Sequence, residues 1–169
     1  MKNIAILLFI STILTSCVVL TKGQDGAPGK QGKNAIESKT LFNQKLADSL
    51  KADKYGMKPY FIVMLTTGKT KIEDKAKMSE LMRGHLDNIG KLAKEGKITV
   101  AGPFLEKNER DYRGMFIFNT ESKETAESWL KTDPAVVAGV FSYEIFKWYG
   151  SAALPMYLPY HDKVSKENP

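Results

Sequence analysis

The sequence predicts an α+β domain with the element order β-α-β-β-α-β, and three observations carry that prediction. Four short runs rich in β-branched and aromatic residues, "PYFIVMLTTGK", "KITVAGPF", "RGMFIFNT" and "FSYEIFKWYG", have the composition of strands. Two stretches between them, "AKMSELMRGHLDNIGKLAKEG" and "SKETAESWLKTD", repeat apolar residues at helical spacing. The connections are short, and this order is that of the ferredoxin-like split βαβ unit, four antiparallel strands with both helices on one face.

Each element has its own local reason. Residues 35–54 read as an extra helix ahead of the domain, with Phe42, Leu46 and Leu50 recurring every fourth position, and this helix is expected to pack on the domain. In the first strand Phe61, Val63 and Leu65 point one way while Tyr60, Ile62 and Met64 point the other. Met78, Met82, Ile89 and Ala93 mark the inner face of the long helix, with Leu81, Leu86 and Leu92 beside them, and Gly96 suits its stop. "LEKNERDY" reads as a hairpin-like loop between strands two and three. Ser122 is the expected N-cap of the next helix, which sets Ala126, Trp129 and Leu130 on one side. "DPAVVAGV" reads as a short helical turn opened by Pro134.

Two helices cover one sheet face only. The second face is also apolar, with Met115 and Ile117 joining Tyr60, Ile62 and Met64, so it needs a cover. A second copy of the sheet provides it in a homodimer; the N-terminal helix or the tail of residues 151–169 are the alternatives.

The first 16 residues have the layout of a secretory signal peptide: Lys2, an apolar run from Ile4 to Leu14, then small residues. The single cysteine follows at once, and Leu14-Thr15-Ser16-Cys17 looks like the lipobox of bacterial lipoproteins, in which the new N-terminal cysteine is lipidated. A plain signal peptide or an uncleaved anchor are the alternatives. The expected location is the cell envelope, lipid-anchored at the outer membrane or the periplasmic face. Residues 17–34 hold glycines at 23, 26, 29 and 32, either a flexible tether or a very short collagen-like repeat.

A net charge of +6 invites a nucleic-acid reading, but the lysines alternate with acids, as in "KTKIEDKAK", and form no stripe. One cysteine and two histidines leave no zinc cluster, and no glycine-rich dinucleotide or phosphate loop occurs. No metal, cofactor or nucleic-acid partner is expected.

The chemistry-bearing candidate is His85, spaced from Leu81, Met82 and Ile89 so that its ring faces the sheet. Asp87 points away. Gly84 beside it leaves room for close approach by another group. Asp133 ends the second helix just before Pro134, where both helices lie on the same sheet face. A carboxylate there would fix the imidazole tautomer and leave the other nitrogen as a base. Gly102 and Pro103 after the second strand offer a side-chain-poor wall for a small-molecule ligand. Arg83, Arg113, Trp148 and His161 are weaker candidates, with surface or packing roles as the alternative. His85 itself has a bland alternative: a core histidine bonded to a backbone carbonyl.

These residues resemble the YCII-related (YciI-like) domain family over about Pro59 to Leu154. The marks are "GHLDNIGKLAKEGKITVAGPF", "RGMFIF" and "KTDPAVVAGVFSYEIFKWYGSAAL". The resemblance implies a domain over residues 59–150 in a dimer of the dimeric α/β-barrel kind. It also implies a histidine–aspartate active pair at His85 and Asp133. The expected function is cofactor-independent proton transfer on a small molecule, of isomerase or lyase type. The alternatives are a binding module without turnover and a dimeric scaffold with a structural histidine. The leader and tether depart from many family members, which lack them.

Overall fold

The computed structural model describes residues 41–167. The signal segment of residues 1–16, Cys17, the glycine-rich tether and the start of the N-terminal helix window lie outside the described residues. The order of elements is α1 (Gln44–Ser49), β1 (Met57–Thr67), α2 (Lys75–Lys94), β2 (Ile98–Pro103), β3 (Tyr112–Phe118), α3 (Lys123–Leu130), α4 (Pro134–Val137) and β4 (Phe141–Ser151). A 3-10 turn at Leu154–Tyr157 and α5 (Leu158–Val164) follow. The four strands form one antiparallel sheet in the order β2-β3-β1-β4, the ferredoxin-like topology expected from the sequence.

Register explains which side chains meet. Val63 faces Phe116 on β3 and Ile145 on β4, and Phe61 faces Phe118. With Leu65, Leu92, Ile98, Ala126 and Leu130 these form the core between sheet and helices. Side-chain caps start each helix of this layer: Asp74 accepts from the Ala76 and Lys77 amides, and Ser122 from Thr125. At the far end of α2, Gly96 takes φ +70, the left-handed conformation that ends a helix without steric cost.

On the second face, Tyr60 is buried beneath Trp148, their ring centroids 5.8 Å apart. Ile62, Met64, Met115 and Val100 are half-buried there, while Phe146 is 48% exposed.

Two expectations need correction. The N-terminal helix is described only over Gln44–Ser49, not through Lys54, and it buries no residue. Phe42 and Leu46 are exposed, because two turns of helix offer too small an apolar stripe to dock by it. This segment is held instead at Asp53, which accepts the Tyr149 hydroxyl and whose amide donates to the Met57 carbonyl. The buried line of α2 runs through Leu81, His85 and Leu92, about one position round from the methionine stripe; Met78, Met82, Ile89 and Ala93 flank it half-buried. Within the tail, residues 154–164 are helical, and the Tyr157 hydroxyl donates to the Thr99 carbonyl.

Candidate active site

His85 lies at the centre of α2 and is 6% exposed; Asp133, in the turn between α3 and α4, is 1% exposed. The imidazole Nδ1–H donates to Asp133 Oδ2 at 2.5 Å. The other carboxylate oxygen accepts from the Ala135 and Val136 amides at 2.9 and 3.4 Å, so Asp133 is at once the N-cap of α4 and the partner of the ring. A buried carboxylate needs several donors to offset lost hydration, and here one imidazole and two amides supply them. With its acceptor on Nδ1, the neutral ring carries its proton there and presents the Nε2 lone pair.

The turn and the helix meet along three consecutive contacts running in opposite chain directions. Pro134 sits over Gly84, where an added Cβ would come within 2.6 Å of the proline Cγ. Asp133 meets His85. Thr132 Oγ1 lies 3.0 Å from the Asn88 side chain and 2.7 Å from the Trp129 carbonyl. The hydroxyl proton is thus shared between two acceptors, Asn88 Oδ1 and the Trp129 carbonyl. Gly84, His85 and Asn88 on α2 thus lock Pro134, Asp133 and Thr132 in place. The ring itself is flanked by Phe141, centroids 5.1 Å apart, and by Phe116 at 6.1 Å.

The structure brings His85 and Asp133 together and separates the other candidates. Pro103 pairs with Gly114, which pairs in turn with Leu65, on the face that carries the pair. Gly102 aligns with Met115 and so belongs to the opposite face; both residues are exposed on the edge strand. Arg83 is exposed with Asp87 4.0 Å away, and Arg113 is exposed with Asp111 at 3.9 Å. Trp148 covers Tyr60, and His161 is exposed on α5. Clefts open elsewhere on the described residues. One of about 610 Å³ lies along the Phe104–Arg110 loop, and one of about 580 Å³ lies at the start of β1. Neither is lined by His85 or Asp133. Among the described residues there is no cluster of histidine, cysteine and acids fit for a metal, and no helix long and apolar enough to cross a membrane.

Sequence reasoning missed the Asn88–Thr132 bond and the two phenylalanines beside the ring. Asn88 carried a faint signal, lying three positions from His85 on the same helix face. The phenylalanines were visible only as strand residues.

Fold and site together define a small split-βαβ domain that carries one buried imidazole–carboxylate pair between its long helix and the turn before its last strand. The chain belongs to the YCII-related domain family, whose model matches residues 60–149, just over half of its length and inclusive of both His85 and Asp133. A solved structure similar in part is 5-chloro-2-hydroxyhydroquinone dehydrochlorinase (TftG) from Burkholderia phenoliruptrix AC1100 in complex with 2,5-dihydroxybenzoquinone. It is 20% identical, covers 52% of this chain and 92% of its own, and has a TM-score of 0.39. No curated protein matches.

Proposed function

We propose that this chain is a small-molecule enzyme of the proton-transfer kind, isomerase- or lyase-like and independent of cofactors. His85 Nε2 is the general base; Asp133 orients the ring and stabilises the imidazolium that forms. The observation that carries this reading is the 2.5 Å bond on Nδ1 from a carboxylate whose other oxygen two amides already fix. Such a base contributes typically ~10²–10⁴-fold to a rate. Pro103 stays in the proposal as a wall on the side of the pair. Gly102 supports it only through the backbone of the edge strand.

The protein works, in this reading, as a homodimer held by lipid on Cys17 at the cell envelope, at the outer membrane or the periplasmic face. The half-buried Ile62, Met64 and Met115 with exposed Phe146 support the dimer, and "LTSC" supports the anchor.

A structural role for the histidine has its own support: the ring is 6% exposed, lies between Phe116 and Phe141, and lines neither cleft. The test is a thermal-shift screen of the full chain against small metabolites, followed by turnover assays on His85→Gln and Asp133→Asn. A ligand raises the melting temperature by mass action. The enzyme reading expects a hit that wild-type protein turns over and that both variants bind but turn over at least about 10²-fold more slowly. Unchanged turnover in folded His85→Gln, or a screen without a hit, gives the case to the structural histidine.

A further inference from the structure

Lys58, at the start of β1, is only 8% exposed, yet it makes no hydrogen bond or ion pair among the described residues. Its ammonium rests over the Tyr60 ring, 5.1 Å from the centroid. That ring stays neutral, since burial pushes the Tyr60 hydroxyl up to about 12, and the hydroxyl is committed to the Ser151 carbonyl at 2.8 Å. The aliphatic stem of Lys58 is buried while its ammonium still reaches water in the cleft, and the cation–π contact supplies it no counter-charge.

Lys58 lines the cleft of about 580 Å³, a volume suited to a small molecule. The wall is made by Lys51 after α1, by the Asn119–Ser122 turn that leads into α3, and by apolar Leu50, Pro59 and Pro155. Burial, and after it the Lys51 charge, pulls the Lys58 ammonium below the ordinary lysine range, while Glu121 opposes the shift. Both charges that act on Lys58 therefore line the same cleft. Two lysines against one glutamate leave one uncompensated positive charge. The Ser122 hydroxyl is already used, donating to Glu124 and accepting from the Thr125 amide. Thr120 Oγ1 accepts from the Ser122 amide, which leaves its hydroxyl proton to donate.

We infer that this cleft binds a small organic acid, its carboxylate between Lys58 and Lys51 and its apolar body against Leu50, Pro59 and Pro155. A monoanion matches the single excess charge, and a dianion overshoots it. His85 packs on Phe116 and Phe141, which pair with Val63 and Thr67 near the other end of β1. The two places are thus about 20 Å apart along a strand rising roughly 3.3 Å per residue, and neither needs the other.

The test is a titration of the full chain with butyrate, with neutral butyramide and with inorganic phosphate at fixed ionic strength, followed through the amide NMR signals of Thr120 and Glu121. Butyrate should give saturable shifts with an affinity at least tenfold above that of butyramide and above that of phosphate. Lys58→Met should abolish the shifts, while Lys54→Met, at an exposed lysine outside the cleft, should leave them unchanged. If Lys58→Met does not fold, Lys51→Gln should still weaken butyrate at least threefold. Equal binding of butyrate and butyramide overturns the carboxylate site, as does wild-type affinity in folded Lys58→Met or in Lys51→Gln. Phosphate binding tighter than butyrate overturns the assignment to a monoanion.

Discussion

The two faces of the sheet are built from similar residues and end in different states. Under the helices Val63, Leu65, Phe116 and Phe118 are sealed by Leu92, Ala126 and Leu130 of the same chain. On the other face Tyr60 finds a lid in Trp148, but Phe146 is 48% and Trp148 37% exposed. Apolar alternation on a strand states that both sides want burial; it does not state who provides it. One face is finished by local helices, and the other keeps large aromatic side chains partly open.

That contrast can be broken first at its strongest point. Phe118→Ala, on the sealed face, should cost about 3–5 kcal/mol in chemical denaturation, with a midpoint independent of protein concentration. Asp133→Ala comes next. It removes the α4 cap and strands the imidazole Nδ1–H, a loss of about 2–4 kcal/mol, checked by the same denaturation curve. Asp133→Asn should cost less but move the proton. Its amide group faces Nδ1 as a donor, so the ring's ¹⁵N signals should report Nε2–H in place of Nδ1–H.

Gly84→Ala sharpens the comparison on the helix side. The new methyl meets Pro134 Cγ at 2.6 Å, and overpacking of about 1–3 kcal/mol outweighs a helix gain of about 1 kcal/mol. A net loss should appear, together with a weakened His85–Asp133 bond in the imidazole spectrum. On the open face, Phe146→Glu should barely change protomer stability, by about 0.5 kcal/mol, yet abolish the proposed homodimer in sedimentation equilibrium. Dimers that survive it place the interface elsewhere.

The smallest effect concerns Tyr149→Phe. The Tyr149 hydroxyl is the main cause that holds the Asp53 carboxyl below its ordinary value, ahead of the Met57 and Tyr55 amides. A depressed carboxyl contributes stability that is present above the ordinary carboxylate range and is lost as pH falls through the folded value. Wild-type protein should therefore lead the variant slightly at neutral pH, and the gap should close in acid. A gap that widens on acidification contradicts this assignment.

Much of this was legible in the chain. Alternation of period two in "YFIVML" and of helical period in α2 fixed the element types, and sequence order then fixed the topology. The pair was legible because His85 interrupts an apolar helix face and Asp133 precedes a proline. What could not be read were features created by distance. The Asn88–Thr132 bond joins two ordinary polar residues 44 positions apart, with nothing in the local pattern to mark either. Lys58 at a strand start reads as surface, and only the packing of Tyr60, α1 and the α3 entry turn around it reveals its burial. The Phe42–Leu46–Leu50 stripe misled in the opposite sense: periodicity describes a helix's own surface, not whether a partner surface exists. The α2 stripe was misplaced by one position because its methionines, at equal spacing, outweighed the histidine.

The 48-residue span between the imidazole and its carboxylate carries a consequence for how the chain reaches its native state. No local turn can bring these two groups together; β2, β3 and α3 must all be in place between them. Closing so long a segment is entropically slow, so the bonded ring proton will emerge late in refolding. Its NMR signal can then serve as a clock hand, marking the moment at which the turn before the last strand has docked on the long helix.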